Sequence, residues 1–228
     1  MSKAAVDGDV TALGERVSLA APDPFPPAFN DTGDVVFRTP QGIFLSSRAG
    51  TIAKIAAIGD AALLGATFQA FSPPTLNNSG EVAFGAMVTN SKGEATQAIF
   101  LVSQGQLTRI VADGAPAPGG GVFALNVGMF PPLSLNDKGE VAFEANIVGE
   151  GVARGEFPAS AVFLFTGGQL RKLVGQGDPT PLGGTFLGGV PFFMLSNAGT
   201  LSFMGVVDTD GDGKPNNQGI FSVQVPGF

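Results

Sequence analysis

The stretch Asn30-Asp31-Thr32-Gly33-Asp34-Val35-Val36-Phe37 decides the fold, because its pattern Asn-x-x-Gly-x-Val-x-Phe returns along the chain. Second and third copies occupy residues 77–84 and 136–143, and a looser fourth copy, beginning with Ser, occupies residues 196–203. The glycines of the four copies lie 47, 59 and 60 residues apart, at Gly33, Gly80, Gly139 and Gly199. Repetition at such spacings indicates a repeat architecture.

Each copy of the motif predicts a hairpin corner between two strands. An Asn at the first turn position can bond back to the backbone, and a Gly three residues later accepts the left-handed conformation. In the strand that follows, the Val and Phe positions alternate and therefore share one face. A short hydrophobic segment precedes each copy, so the motif predicts a strand, a turn and a second strand.

A second signature follows each copy and extends the unit. It reads Ile-Phe-Leu or a close variant, at residues 43–45, 99–101, 162–164 and 220–221. In the first three units a further strand comes next, and then a connector rich in Gly and Pro that ends at Phe68, Phe123 or Phe186. We find no helical periodicity of useful length. Units of four strands and this size are typical of β-propeller blades.

The N-terminal residues predict how the repeats close. Residues 3–9 align with residues 54–60, which contain the last strand of the first unit, whereas the fourth unit has three strands of its own. We therefore expect residues 3–6 to complete the last blade, which would close a ring and remove exposed edges. The prediction is one all-β domain, a four-bladed propeller over residues 1–228, with blades at about 25–58, 71–113, 130–176 and 191–225 plus 3–6. The alternatives are a β-solenoid, which requires atypical caps at both ends, and an unusual sandwich.

Composition excludes several classes of function. The formal charge of −7 argues against a nucleic-acid partner or an anionic membrane, and no apolar run is long enough for a membrane helix, so we expect no membrane insertion. The chain has no Cys and no His, which excludes a thiolate nucleophile, a Cys-type zinc site, an imidazole base and a Ser-His-Asp triad. Its aromatic residues are all Phe, which predicts that they fill the core.

The repeat resembles a family of bacterial tandem-repeat proteins named after the motif NxxGxxxF, whose members carry varied C-terminal surface anchors (the choice-of-anchor type). The resemblance covers nearly the whole chain, with Ser196 departing from the Asn position. It implies an exported bacterial protein at the cell surface or outside the cell, and it carries no established activity. Residues 1–9 do not resemble a signal peptide.

The stretch 208–218, Asp-Thr-Asp-Gly-Asp-Gly-Lys-Pro-Asn-Asn-Gln, predicts a calcium site. Carboxylates at positions 1, 3 and 5 and Gly at position 6 match the start of an EF-hand-type loop. Gly219 stands at position 12 in place of the usual bidentate Glu, so the match is incomplete. The alternative is a solvated Asp/Gly hairpin between two strands; if calcium binds, we expect a structural role. The candidate ligands are Asp208, Asp210, Asp212, Lys214 through its backbone carbonyl, and Asn216.

Two further features are candidate sites. Asp9, Asp60 and Asp178 recur at one position of the connectors, and they form either an acidic ring on one face or, as we favour, turns in which Asp satisfies backbone groups. The long insertion 146–160, which holds Glu150 and Arg154, is either a functional loop or a solvated loop without a role.

The hypothesis that best fits these features is a non-enzymatic extracellular binding or scaffolding module for an unknown protein or glycan ligand, with calcium as a candidate stabilising ion. A lectin-like carbohydrate binder is the first alternative, which the absence of Trp and Tyr disfavours. A carboxylate-based glycoside hydrolase is the second, and it needs a pair of acidic residues with separated pKa values. A glycan array combined with a glycosidase screen distinguishes the three.

Overall fold

The computed structural model describes residues 3–19, 26–125, 133–149, 159–188, 190 and 192–225. The chain divides into two compact units, Met1–Val111 and Ala112–Phe228, each of which contains two antiparallel sheets. The described residues contain no helix, and so none that is long and apolar enough to cross a membrane. The all-β prediction is confirmed.

The first unit contains the first and second sheets, whose strands follow one another as antiparallel neighbours. In the first sheet the order is β1-β2-β3-β4; in the second it is β5-β7-β8-β9, and the short β6 also pairs with β7. The strands are β1 (Ala28–Phe29), β2 (Val35–Arg38), β3 (Gly42–Ser46), β4 (Ile52–Ala57), β5 (Thr67–Phe71), β6 (Thr75–Leu76), β7 (Val82–Thr89), β8 (Ala95–Ser103) and β9 (Gln106–Ala112).

The second unit contains the third and fourth sheets, which repeat this plan. The third sheet has the order β10-β12-β13-β14 with β11 also on β12, and in the fourth sheet β15, β16 and β18 all pair with β17. The strands are β10 (Val122–Ala124), β11 (Leu133–Leu135), β12 (Val141–Val148), β13 (Ser160–Thr166), β14 (Gln169–Gly175), β15 (Thr185–Phe186), β16 (Phe193–Leu195), β17 (Thr200–Asp208) and β18 (Asn217–Gln224).

The repeated Phe residues form the same core in every sheet. The Phe of the first signature lies opposite the Phe of the second across neighbouring strands, and the two rings stack with centroids 5.7–6.0 Å apart. A third ring from the connector packs on each pair in the last three sheets, and Val17 takes its place in the first. The prediction that these residues fill the core is therefore confirmed. The four pairs are Phe37–Phe44, Phe84–Phe100, Phe143–Phe163 and Phe203–Phe221.

The motif Asn closes the predicted turn. In the third sheet Oδ1 of Asn136 accepts the backbone N–H groups of Lys138 (3.0 Å) and Glu140 (3.1 Å), while its Nδ2 donates to the Glu140 carboxylate (2.7 Å). Gly139 has a φ of 74°, in the left-handed region that the turn requires. The turn interpretation of the motif is confirmed.

The same Asn side chains also join consecutive sheets, a role that the sequence did not reveal. Nδ2 of Asn30 donates to the Asn77 carbonyl (3.2 Å), and Nδ2 of Asn136 donates to the Ser196 carbonyl (3.2 Å). At the next position, Asp31 exchanges two hydrogen bonds with Asn78, both of 2.8 Å. Asp137 exchanges the corresponding pair with Asn197, at 2.8 and 2.6 Å. We call this arrangement the inter-repeat clamp.

Each sheet has a Phe face and an aliphatic face. The aliphatic face is formed by residues next to the Phe positions, which in the third sheet are Ala142, Val162 and Leu164. In the second unit these three residues are buried in one cluster with Leu201 and Phe203 of the fourth sheet. The aliphatic face of the third sheet therefore packs on the Phe face of the fourth.

The connectors differ from their prediction in one respect. We expected each connector to lie between two sheets. Instead, the end of each connector lies in the first strand of the sheet that follows, and these strands are β5, β10 and β15. The reason is that Phe68, Phe123 and Phe186 belong to the aromatic cores of those sheets and must sit in strands. Residues 8–17 form the same hairpin as the three connectors, with paired bonds between Gly8 and Val17 and between Val17 and Asp9. Residues 3–6 lie outside the strands.

Candidate acidic loop between the last two strands

The acidic stretch connects β17 to β18. Asp208 is the last residue of β17 and is buried, whereas Asp210 and Asp212 are exposed in the loop. Gly211 and Gly213 have φ angles of 81° and 80°, so the chain turns tightly at both residues. The alternation of Asp and Gly thus produces a loop that folds back on itself.

The carboxylate of Asp208 organises this loop. Its Oδ1 accepts the N–H groups of Asp210 (3.2 Å) and Gly211 (2.7 Å), and its Oδ2 accepts the N–H of Gly213 (2.8 Å). Asp212 accepts the N–H of Lys214 in the same way (2.8 Å). The backbone N–H of Gly213, and then that of Gly211, hold the pKa of Asp208 below its usual value, because they favour its charged form.

The three carboxylates converge on one point. One oxygen from each of Asp208, Asp210 and Asp212 lies within 4.8 Å of the other two. Two oxygens that bind one calcium ion from opposite sides, each at about 2.4 Å, are separated by about this distance. A carboxylate oxygen has two lone pairs, so Oδ2 of Asp208 can accept the Gly213 N–H and still bind a cation. The donor set is the hard-oxygen type that Ca²⁺ prefers.

The other two candidate ligands have different surroundings. Asn216 uses Oδ1 to accept the backbone N–H of Thr209 (2.9 Å) and its hydroxyl (3.1 Å), which ties the two ends of the loop together. Lys214 is exposed. Asn216 therefore acts as a brace at the base of the loop, and its amide oxygen would have to leave Thr209 in order to bind a metal.

A connector lies directly against this loop. An added Cβ at Gly184 would be 1.8 Å from the Asp208 carbonyl oxygen and 2.6 Å from Cα of Thr209, and β15 pairs with the end of β17 at Asp208. Only Gly fits so close an approach. The connector that leads into β15 therefore lies beside the acidic loop.

Comparison with known proteins places the chain in a family. Residues 25–227, which include all four copies of the motif, match the family described as "Family of unknown function (DUF7453)". The chain belongs to the DUF7453 family. No curated protein matches it. The DUF7453 assignment brings no activity, ligand or compartment with it, so the chemistry of the site rests on the geometry of this chain.

The repeated connector Asp residues of this DUF7453 chain satisfy turn backbone, as we favoured. Asp9, Asp60 and Asp178 each accept the N–H of the residue three positions earlier, at 2.8, 3.0 and 2.8 Å. Each also forms an ion pair with the Lys six positions earlier. The connector that ends at Phe123 has Ala115 at this position and Arg109 six residues earlier, so the Asp and the Lys are both replaced there. An acidic ring is not supported, because each carboxylate is paired.

A shallow surface depression of about 360 Å³ lies beside the acidic loop. Its lining combines the side chains of Val206 and Pro215 with three amides, Asn216, Asn217 and Gln218. Residues 150–158 of the long insertion, which include the candidate loop residues Glu150 and Arg154, lie outside the described part of the chain.

Proposed function

We propose that this DUF7453 chain is a non-enzymatic binding or scaffolding module whose last hairpin is stabilised by calcium. The observation that carries the proposal is the convergence of the Asp208, Asp210 and Asp212 carboxylates in one tightly turned loop. Three carboxylates held this close repel one another, and a divalent cation removes that repulsion. The resemblance to exported repeat proteins supports the same reading, since calcium is abundant outside cells and weak sites fill there.

A structural role for the metal follows from where the loop lies. Asp208 is buried at the end of β17, and its oxygens already organise the loop backbone. A cation bound to Asp208, Asp210 and Asp212 would fix the hairpin that joins β17 to β18. Without a bidentate Glu at position 12, we expect a dissociation constant in the millimolar range of extracellular modules.

A glycoside hydrolase receives no support from the described carboxylates. A general acid in such an enzyme needs a raised pKa. Hydrogen bonds from Lys3, Arg48 and Gly213, respectively, lower the pKa values of Asp9, Asp34 and Asp208. The acidic cluster also brings its oxygens closer than the roughly 5–9.5 Å that separates the two catalytic carboxyl groups of glycosidases.

A lectin-like function is the second candidate, because the depression beside the acidic loop is lined by amides. Asn217 and Gln218 can donate to and accept from sugar hydroxyl groups. The expected result is binding on a glycan array that disappears in a Gln218→Ala variant and keeps its strength in a Gln169→Ala variant, at an exposed position of the third sheet. If no glycan on the array binds, the depression is not a sugar-binding site.

Closure into a four-bladed ring remains a prediction, and the calcium proposal does not depend on it. One contact supports it: Ala5 packs against the cluster that contains Phe37 and Phe44, as Val174 of the third sheet belongs to the cluster of Phe203. The N-terminal residues thus lie on the first sheet where the last strand of a preceding sheet would lie. Since the chain has no Cys, a variant with Ala5→Cys and Ile220→Cys tests closure: a disulfide within one chain supports it.

The calcium proposal is tested by thermal unfolding with calcium and with a chelator. Calcium at about ten times its dissociation constant should stabilise the native state by about 1.4 kcal/mol, which corresponds to a rise in Tm of about 3–5 °C for a chain of this length. Asp212→Asn should abolish the rise, whereas Glu94→Gln, in the corresponding hairpin of the second sheet, should preserve it. An unchanged Tm in both solutions, together with no heat of calcium binding, contradicts the proposal.

A further inference from the structure

The N-terminal hairpin and the three connectors share one backbone frame, and we call them the connector hairpins. They are residues 8–17, 59–68, 114–123 and 177–186, and each has Gly at its seventh position. In each, the N–H of the first residue bonds to the carbonyl of the tenth (2.8–2.9 Å), and that of the fourth bonds to the carbonyl of the eighth (2.8–3.1 Å). The third and ninth residues form an antiparallel bridge in all four. Differences between the hairpins are therefore confined to the tip, between the fourth and eighth residues.

The tip of the second connector hairpin differs from the other three. In those three, the N–H of the Gly at the seventh position bonds to the carbonyl three residues earlier, as Gly14 does to Thr11 (3.0 Å). In the second hairpin the closing bond is shifted by one residue and joins the N–H of Ala66 to the carbonyl of Leu63 (3.0 Å). Both kinds of tip have one closing bond, so the number of hydrogen bonds favours neither.

The shifted bond holds two leucines in the left-handed region of backbone conformation. Leu63 has a φ of 70° and Leu64 a φ of 52°. For an L-residue this conformation is less favourable than the right-handed one by a factor of about five to thirty. None of the residues at these two positions in the first and fourth hairpins has a positive φ, and they are Ala12, Leu13, Pro181 and Leu182. The strain is therefore specific to the second hairpin.

The sequence of the second hairpin also permits the tip of its homologues. Gly65 stands at the seventh position, where the backbone is left-handed in both kinds of tip, with a φ of 76° here and 84° at Gly14. Strained residues persist where the surrounding structure leaves them no alternative. Leu64 is 81% exposed, and a Cβ added at Gly65 would meet no atom within 4 Å. The surroundings of this tip therefore leave the unstrained turn accessible.

We propose that residues 62–66 form a two-state tip, which exchanges between the left-handed turn and the turn of the other connector hairpins. The two states share the frame of the hairpin and the bond between Ala62 and Ala66, and they differ in the backbone of Leu63 and Leu64. Because both leucines are exposed, the exchange changes the apolar surface that this hairpin presents. A molecule that contacts the leucines in one state shifts the equilibrium by its differential affinity for the two states.

Substitutions at the leucines should populate the two states separately. Leu63→Pro fixes φ near −65° and so excludes the left-handed turn, and the third and fourth hairpins carry Pro naturally at this position. In this variant hydrogen exchange of the Gly65 amide should slow by about tenfold or more, because it gains the closing bond, and exchange of the Ala66 amide should accelerate. The double variant Leu63→Gly, Leu64→Gly removes the penalty on the left-handed turn and should protect Ala66 instead.

NMR relaxation dispersion on the unmodified full chain tests the exchange itself. The amides of Gly65 and Ala66 should show exchange on the microsecond-to-millisecond timescale, which Leu63→Pro abolishes, while Gly183 and Gly184 of the fourth hairpin serve as controls without exchange. Dispersion at Gly65 and Ala66 no larger than at these controls overturns the proposal, whatever the variants do. A fall in Tm of more than about 5 °C in Leu63→Pro also overturns it, because the unstrained turn would then be inaccessible to this hairpin.

Discussion

Replacing Asn136 by Ser tests whether the motif stabilises the protein mainly as a turn or as an inter-repeat clamp. The fourth copy of the motif carries the substitution naturally, and there Oγ of Ser196 still accepts the N–H of Thr200 (3.0 Å). Asn136→Ser therefore preserves a bond that closes the turn. It removes the two bonds donated by Nδ2, one to the Glu140 carboxylate and one to the Ser196 carbonyl.

The expected loss follows from these two bonds. A hydrogen bond to a charged group contributes about 1.5–3 kcal/mol, and a neutral one about 0.5–1.5 kcal/mol. Asn136 and Glu140 are both buried, so water does not replace the lost donor fully. We expect the free energy of unfolding to fall by about 3 kcal/mol and Tm to fall by about 6–12 °C.

Asn90 provides a matched control within the same chain. Its side chain makes the same turn bonds as Asn136, to the N–H groups of Lys92 and Glu94 and to the Glu94 carboxylate, but in an exposed hairpin. Asn90→Ser should therefore cost less than about 1 kcal/mol. Thermal and denaturant unfolding of both variants measure the difference. Equal losses in Asn90→Ser and Asn136→Ser would refute the reasoning, because burial and the link to the next sheet would then contribute nothing.

Three further predictions concern the backbone, the core and the acidic loop. Gly184→Ala should destabilise the protein by more than about 2 kcal/mol, because the new Cβ would overlap the Asp208 carbonyl; Gly183→Ala, with open space and a similar φ, should cost only about 1 kcal/mol. Phe163→Ala should cost about 3–5 kcal/mol in denaturant unfolding, whereas Phe192→Ala, at an exposed site, should cost little. The lowered pKa of Asp208 adds stability that is complete above about pH 3.9 and is lost as the pH falls through the native pKa, so Asp208→Asn should flatten acid melting curves measured without calcium. A flat profile in the wild type would contradict the last prediction.

The parts of the fold that could be predicted from the sequence are those in which one residue determines the local geometry. The Asn and Gly of the motif dictate a turn, and the Phe of each signature dictates which face is buried, so strands and core were predicted correctly. The connector strands β5, β10 and β15 were not predicted, because the Gly and Pro residues of the connectors are typical of loops. The Phe at the end of each connector nevertheless completes the core of the next sheet. The constant spacing between the Gly that begins each connector and that Phe was the available signal.

Less of the candidate site than of the fold could be predicted from the sequence. The alternating carboxylates predicted that Asp208, Asp210 and Asp212 converge, because a tight loop brings alternate side chains close together. The same pattern makes Asn216 a candidate ligand, which stays a prediction, but it did not reveal that the amide oxygen of Asn216 accepts a hydrogen bond from Thr209. The clamp between Asp31 and Asn78 was equally hidden, because its partners are 47 residues apart and meet only when two sheets pack.

The loss of one side-chain amide separates turn formation from sheet packing. In three copies the motif residue is Asn, which both closes its own turn and, in the two copies seen to clamp, reaches the following sheet. In the fourth copy Ser196 retains the turn and lacks the reach, and the aliphatic face beside it has exchanged Leu and Ala for Ser. A turn needs only an oxygen acceptor, whereas a sheet contact needs the amide donor and the aliphatic side chains. The two requirements separate in the fourth repeat, which keeps the turn and lacks the groups that a sheet contact needs.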